Sequence, residues 1–109
     1  MLREPFKELI VQGLVKAKTY KDKQGRYLSQ EEPGCTVSFE KMSKSKGNGV
    51  RPEQVTAQFG VDALRASILF GAPPDVDLHF SDQIVSNMTS FLQKVSKLKP
   101  QKQPQSLQK

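Results

Sequence analysis

The sequence predicts a mixed α/β fold. Apolar residues alternate with polar ones at 14–20, 36–39 and 76–80, which is typical of half-buried strands. Elsewhere they repeat at helical spacing, most clearly in 81–98. Because strands and helices alternate within only 109 residues, the chain is expected to form one small α/β domain or a part of one.

The first 30 residues predict a helix followed by a hairpin. Pro5 suits the first turn of a short helix that begins at Glu4 and ends at Gly13. Its apolar residues Phe6, Leu9 and Ile10 fall on one face with Gly13. A strand covers 14–20, and a polar turn containing Gly25 leads into a returning strand at 26–28.

The middle of the chain predicts a turn, a strand, a loop and a helix. The turn at 31–34 precedes a strand at 36–39, and a polar loop occupies 41–49. Pro52 suits a helix start, and Gly60 suits the end of the same helix.

Two further helices complete the predicted fold. Asp62 is expected to cap a helix that runs to about Phe70, and an extended stretch at 76–80 follows it. Ser81 is expected to cap the last helix, whose apolar stripe consists of Ile84, Val85, Met88, Phe91, Leu92, Val95 and Leu98. Beyond Pro100 the residues are mostly Gln, Lys, Pro and Ser, which predicts a disordered tail.

Composition narrows the possible functions. The net charge of +6 favours an anionic partner such as phosphate, nucleotide or nucleic acid. Cys35 is the one cysteine and His79 the one histidine, so neither an intrachain disulfide nor a conventional His/Cys metal site is expected. No apolar run is long enough to span a membrane, and the N-terminus lacks the features of a signal peptide.

The polar loop at 41–49, called here the basic loop, is the main candidate for chemistry. It combines three lysines, two serines and two glycines in the order Lys41-Met42-Ser43-Lys44-Ser45-Lys46-Gly47-Asn48-Gly49. Long ammonium arms, hydroxyls and backbone N–H groups suit a polyphosphate, and Met42 is expected to anchor the loop. From composition alone a solvated basic loop is the more common explanation, and the spacing of a Walker phosphate loop is missing.

The order Lys-Met-Ser-Lys-Ser at 41–45 resembles the second signature of the class I aminoacyl-tRNA synthetases. The resemblance implies that the loop follows the last strand of a Rossmann-type catalytic domain and stabilises the phosphates of ATP. It implies that Lys41 and Lys44 are catalytic, with Lys44 the strongest ATP ligand and Lys41 a second phosphate contact. Residues 41–45 together would bind ATP, with Ser43 and Ser45 shaping the loop around Met42.

The flanking residues resemble the leucine branch of this family. The stretch 59–65 is similar to the helix that follows the signature in the leucine, isoleucine and valine enzymes. The segments 48–50 and 72–82 resemble the leucine enzymes most, as do 4–9 and 12–15 upstream. The resemblance covers about residues 3–82 and is closer to the bacterial and mitochondrial type than to the eukaryotic cytosolic type.

The resemblance also implies an organisation and a set of substrates. Residues 1–82 would be the end of the Rossmann-type catalytic domain with a hairpin insertion, and 83–99 a helix leading toward an absent anticodon-binding bundle. Residues 100–109 would be the disordered tail. The substrates would be leucine, its tRNA and ATP, with Mg²⁺ carried on the ATP. The location would be the mitochondrial matrix in a eukaryote and the cytoplasm otherwise.

Two features depart from the family pattern. Arg51 stands where an acidic residue is usual, and the His-x-Gly-His signature is absent. We therefore expect a fragment that is inactive alone. Asn48 either holds the loop to its neighbours or serves simple turn chemistry. Asp62 and Arg65 are expected to be structural, and His79 is expected to have no catalytic role.

Three alternatives remain open at the level of sequence. In the first alternative, the chain belongs to a valine or isoleucine enzyme. In the second, it is a degenerate gene product without function. In the third alternative it is a non-catalytic basic module that binds tRNA through late lysines, namely Lys94, Lys97, Lys99, Lys102 and Lys109.

Overall fold

A computed structural model describes residues 3–100, which form a small mixed α/β unit. The elements in chain order are β1 (Val15–Lys21), β2 (Tyr27–Leu28), β3 (Thr36–Lys41), a 3₁₀ turn (Lys44–Lys46), α1 (Pro52–Phe59), α2 (Val61–Gly71), β4 (Leu78–Phe80) and α3 (Asp82–Ser96). The predicted α/β class is confirmed. The predicted tail lies outside the described residues except for Pro100.

Strand β1 lies at the centre of the sheet. Strands β2 and β3 pair with it antiparallel, and β4 pairs with it in parallel. Strand β3 follows one edge of β1 for six residue pairs, whereas β4 and β2 share the other edge, at opposite ends of β1. The hairpin of β1 and β2 turns at Gly25, whose φ of 79° is a conformation that glycine adopts without strain.

The helices cover one face of this sheet. Ala17 and Thr19 of β1 and Phe80 of β4 point toward them and are buried. Val85 of α3 is fully buried and forms the core with Phe80, Val55 of α1 and Ala63 of α2. The buried apolar residues of the strands and those of the helices therefore pack together in one cluster.

The opposite face of the sheet is open. Val37 and Phe39 of β3 retain 42% and 39% of their surface. His79 of β4 stacks on Phe39 with a centroid distance of 4.3 Å and an interplanar angle of 5°. His79 therefore packs against an aromatic ring, away from the face that the helices cover.

The predicted N-terminal helix is wrong. Residues 3–14 form neither helix nor strand, and Phe6, Leu9 and Ile10 remain 60–73% exposed. A helix of so few residues needs a surface against which to bury its apolar stripe, and these side chains stay exposed. At the end of the segment, the N–H of Gly13 donates to the Pro74 carbonyl at 2.7 Å and that of Leu14 to Asp77 Oδ1 at 2.8 Å.

The predicted cap at Asp62 is also wrong. Helix α2 begins at Val61, so Asp62 lies inside the first turn and Gly60 takes the capping position. Gly60 has a φ of 90°, which lets the chain end α1 and begin α2 with this one residue between them. Arg65 is exposed and forms no ion pair within residues 3–100.

The other helix boundaries agree with prediction. Pro52 opens α1, and Gly60 follows its end. Ser81 occupies the capping position of α3, although its hydroxyl makes no capping hydrogen bond. In the described part of the chain, no helix has the length and apolar character needed to cross a membrane.

Candidate nucleotide-binding loop

The basic loop joins the end of β3 to α1. Strand β3 is two residues longer than predicted, so Lys41 belongs to the strand rather than to the loop. Lys41 pairs with Lys16 across the sheet, whereas Glu40 pairs with the buried Ala17. Because successive strand residues point to opposite faces, Glu40 lies on the helix-covered face and Lys41 on the open one.

Met42 attaches the loop to the core. Its side chain is half-buried and packs against the core cluster of the sheet and helices. Its N–H also approaches the Val15 carbonyl at 3.5 Å. The expectation that Met42 anchors the loop therefore agrees with the structure.

Asn48 fixes the loop from the other side. Its Oδ1 accepts a hydrogen bond from the Ser43 N–H at 2.9 Å, which closes the loop on itself. Its Nδ2 donates to Thr19 Oγ1 at 2.8 Å and lies 3.3–3.4 Å from the carbonyls of Lys41 and Glu40. Thr19 is only 1% exposed. Of the two roles considered for Asn48, the structure shows that it holds the loop to the sheet.

Glu40 forms the second attachment. Its carboxylate pairs with Lys46 of the loop at 3.3 Å and with Lys21 of β1 at 3.0 Å. It also accepts hydrogen bonds from the hydroxyls of Ser38 and Tyr27 at 3.0 and 3.2 Å. The hydrogen bond from Lys21, helped by those from Ser38 and Lys46, lowers the pKa of Glu40 to about 2. The ammonium group of Lys46 is therefore held against the sheet.

Between these attachments the loop makes a single 3₁₀ turn. The turn spans Lys44–Lys46, and Gly47 ends it with a φ of 64° and an N–H bonded to the Lys44 carbonyl at 3.2 Å. The hydroxyls of Ser43 and Ser45 lie 3.2 Å apart. The side chain of Lys44 is exposed and forms no ion pair in the described part of the chain.

An open cavity of about 640 Å³ lies beside this turn. Its lining residues come from the basic loop and from the segment that leads into α1, namely Met42, Ser43, Lys44, Gly47, Gly49, Val50 and Arg51. The lining contains two cations, a hydroxyl and no carboxylate. Such a cavity suits an anion that carries several oxygen acceptors.

The structure brings together some of the predicted site residues. Met42, Ser43 and Lys44 line the cavity, whereas Lys41 and Ser45 are exposed and are not among its lining residues. Sequence reasoning missed Thr19 and Glu40 as supports of the loop. The position of Glu40 immediately before the signature was a usable signal, but its partners on β1 and β2 were not visible in the sequence.

The acids and histidine offer no metal site in residues 3–100, which contain no group of three or more His, Cys, Asp or Glu side chains that could hold an ion. The late lysines that were considered for nucleic-acid binding are exposed where they are described, at 94, 97 and 99. Lys102 and Lys109 lie outside the described residues.

A family model and several known proteins are similar to this chain, and they agree with the signature in the basic loop. The model of the family "tRNA synthetases class I (I, L, M and V)" matches residues 1–81. A probable mitochondrial leucine–tRNA ligase of Pongo abelii is 46% identical over 90 residues, which cover 70% of this chain and 10% of that protein. The leucine–tRNA ligase of Rippkaea orientalis (strain PCC 8801 / RF-1) is 44% identical over 110 residues, which cover 87% of this chain and 13% of that protein. That of Prochlorococcus marinus (strain MIT 9515) is 42% identical over 109 residues, with the same coverage of both chains.

The chain therefore spans only about an eighth or less of the length of these relatives. The predicted resemblance to leucine enzymes of bacterial and mitochondrial type is confirmed by the names of these proteins. From the match over most of its length, the chain belongs to the class I tRNA synthetases.

Proposed function

We propose that this chain is the phosphate-binding part of a leucine–tRNA ligase. The observation that carries the proposal is the basic loop, which is fixed by Asn48 and Glu40 while Lys44 lines an open cavity without a carboxylate. The leucine–tRNA ligases among the relatives support the choice of leucine over valine or isoleucine.

In the proposed reaction the leucine carboxylate attacks the α-phosphorus of ATP. A bond forms between the carboxylate oxygen and phosphorus, the bond to the β-phosphate bridging oxygen breaks, and pyrophosphate leaves with the electron pair. A hydroxyl of the tRNA then attacks the leucyl carbonyl carbon of the adenylate and loses its proton, while the bond from that carbon to the phosphate oxygen breaks and AMP leaves. Negative charge grows on the leaving pyrophosphate, so a cation held in place beforehand stabilises the transition state more than a solvated one. Lys44 is the proposed donor, and Mg²⁺ would arrive bound to the ATP.

The proposed organisation follows the family. Residues 1–82 form the end of a Rossmann-type catalytic domain, with β1 and β2 as the hairpin insertion. Support comes from the parallel pair of β1 and β4, and from the order of strand, basic loop and helix between 36 and 59. Residues 83–99, mostly α3, lead toward an anticodon-binding bundle. We propose the mitochondrial matrix as the location in a eukaryote and the cytoplasm otherwise. The name of one relative, which is called mitochondrial, supports the first of these.

The proposal is tested in a longer ligase that contains this segment. The Lys44→Ala variant should slow leucyl-adenylate formation about 100-fold, as loss of a transition-state donor does, while the dissociation constant for leucine changes little. Single-turnover adenylate formation and leucine titration give the two readouts. Lys94→Ala, at an exposed position on α3, is the matched control and should behave as wild type. An equal loss in both readouts, or none in the first, would contradict the proposal.

The isolated chain of 109 residues is expected to be inactive. Much of the rate of such a reaction comes from holding two substrates in position, and this chain supplies the support for only part of one. Leucine-dependent exchange between ATP and pyrophosphate measures the activity. Exchange by the purified chain above the level of Lys44→Ala would show that it is a complete catalyst.

A further inference from the structure

We infer that Arg51 is a second phosphate-binding cation of this site and that it shares a polyphosphate with Lys44. The inference rests on the proposed function, because it concerns the same cavity, but it assigns a residue outside the five of the signature. It also separates the cations that line the cavity from the nearby ones that do not.

Lys44 and Arg51 are the two charged residues among those that line the cavity, and each comes from a different part of the fold. Lys44 lies on the 3₁₀ turn, and Arg51 immediately precedes α1. Two separate segments of the chain therefore each supply one cation to a ligand in the cavity, and the lining residues include no carboxylate.

The other two cations near the loop are placed elsewhere. Lys46 is half-buried and is paired with Glu40, which is itself held by Lys21. Lys41 ends β3 on the open face of the sheet and does not line the cavity. Of four basic residues between 41 and 51, the structure thus leaves two at the cavity.

Arg51 is well held for such a role. Its carbonyl accepts hydrogen bonds from the N–H groups of Gln54 at 3.1 Å and Val55 at 3.4 Å, and Val55 is in the core. The side chain is exposed and forms no ion pair with any residue of the described part. A guanidinium group in this position presents a planar fork of donors, which matches two oxygens of one phosphate group.

The cavity also has room for the ligand. A Cβ atom added at Gly47 or Gly49 would meet no heavy atom within 4 Å, so the space beside both glycines is empty of protein. Phosphate oxygens can therefore approach the backbone there as well as the two cations.

The experiment is calorimetric titration of the 109-residue chain with inorganic tripolyphosphate and, separately, with ATP, at low ionic strength. The variants are Arg51→Gln, Lys44→Gln and, as a matched control, Arg65→Gln on the exposed side of α2. Arg51→Gln and Lys44→Gln should each weaken both ligands roughly fivefold, and Arg65→Gln should leave them unchanged. Arg51→Lys should recover part of the loss, because it keeps the charge without the fork.

The outcomes separate this inference from the proposed function. Weaker binding in Lys44→Gln with wild-type binding in Arg51→Gln would overturn the inference alone. A loss in Arg51→Gln that is confined to ATP would also overturn it, because the contact would then lie with the nucleoside. Equal binding by Lys44→Gln and Arg65→Gln would contradict both. Absence of binding by the wild-type chain would overturn the inference alone, because the proposed function concerns a longer ligase. Circular dichroism of each variant confirms that the fold is kept.

Discussion

The basic loop has an inner side, which faces the sheet, and an outer side, which faces the cavity. The two sides differ in the contacts that their residues make and in their exposure to solvent. On the inner side, Asn48 and Glu40 tie the loop to the sheet, and Met42 packs on the core. On the outer side, Lys44 of the loop and Arg51, two residues after it, line an open cavity and are exposed. The comparison shows how a small site can present exposed cations from a backbone that hydrogen bonds hold in place. Ordering the backbone during folding leaves less conformational entropy to be lost when an anion binds.

The largest expected effect is on the inner side, at Asn48. Asn48→Ala removes the donor to Thr19 Oγ1 and the acceptor for the Ser43 N–H, and leaves the buried Thr19 with an unsatisfied acceptor. We expect the free energy of unfolding to fall by about 2–3 kcal/mol, because unsatisfied buried groups keep their desolvation cost. Urea denaturation measures the change.

The control for this variant is Asn87→Ala. Asn87 is exposed on α3, and its side chain accepts one hydrogen bond, from Gln83 at 2.9 Å. A loss of less than about 0.5 kcal/mol is expected there, as for most surface substitutions. Equal losses in the two variants would mean that Asn48 is ordinary turn chemistry and not a support of the loop.

The next effect concerns Glu40 and depends on pH. Its pKa is about 2 in the folded chain against an ordinary value of 4.5, so the folded state holds its proton less tightly than the unfolded state does. Its contribution to stability is therefore complete above about pH 4.5 and is lost as the pH falls toward 2. In Glu40→Gln the thermal midpoint should be lower at neutral pH and should fall less steeply over this window.

Part of the acid dependence should remain in that variant. The pKa values of Asp22 and Asp77 are also lowered, by hydrogen bonds from Arg26 and Lys16 respectively. Glu32→Gln is the control, because Glu32 is exposed and forms no ion pair in residues 3–100. If Glu40→Gln and Glu32→Gln follow the same curve, Glu40 does not stabilise the inner side of the loop.

The smallest effect is expected on the outer side. Within residues 3–100, the one hydrogen-bond partner of the Ser45 hydroxyl is that of Ser43 at 3.2 Å, and both remain accessible to water. Ser45→Ala should change the free energy of unfolding by less than about 0.5 kcal/mol, as measured in the same urea experiment. A loss as large as that of Asn48→Ala would remove the distinction between the two sides.

Local patterns explain what the sequence could predict. The turn at Gly25 and the start of α1 at Pro52 depend on the backbone preferences of one residue, and both were predicted. The N-terminal helix failed because its apolar stripe needed a partner surface, which the sequence pattern alone cannot supply. The prediction of Asp62 as a cap failed because Gly60 occupies that position and α2 begins one residue after it.

The residues of the proposed phosphate site could be identified from the sequence, but their supports could not. The order of residues 41–45 resembles a known synthetase signature, and that resemblance, not composition alone, favoured a phosphate site. Thr19 lies 29 residues from Asn48, and their contact exists only because β1 lies beside the loop. The capture of Lys46 by Glu40, and the place of Arg51 at the cavity, likewise depend on the folded arrangement.

The most direct test of the difference between the two sides is an NMR titration of the ¹⁵N-labelled chain with Mg²⁺–ATP. If the outer side binds the phosphates on a fixed inner side, shift changes should concentrate at residues 43–51. The side-chain NH₂ signals of Asn48 should keep their positions and their protection from solvent exchange. Changes confined to the lysines at 94–99, with residues 43–51 unaffected, would contradict phosphate binding at the outer side and favour a basic module that binds anions through the end of α3 and the residues after it.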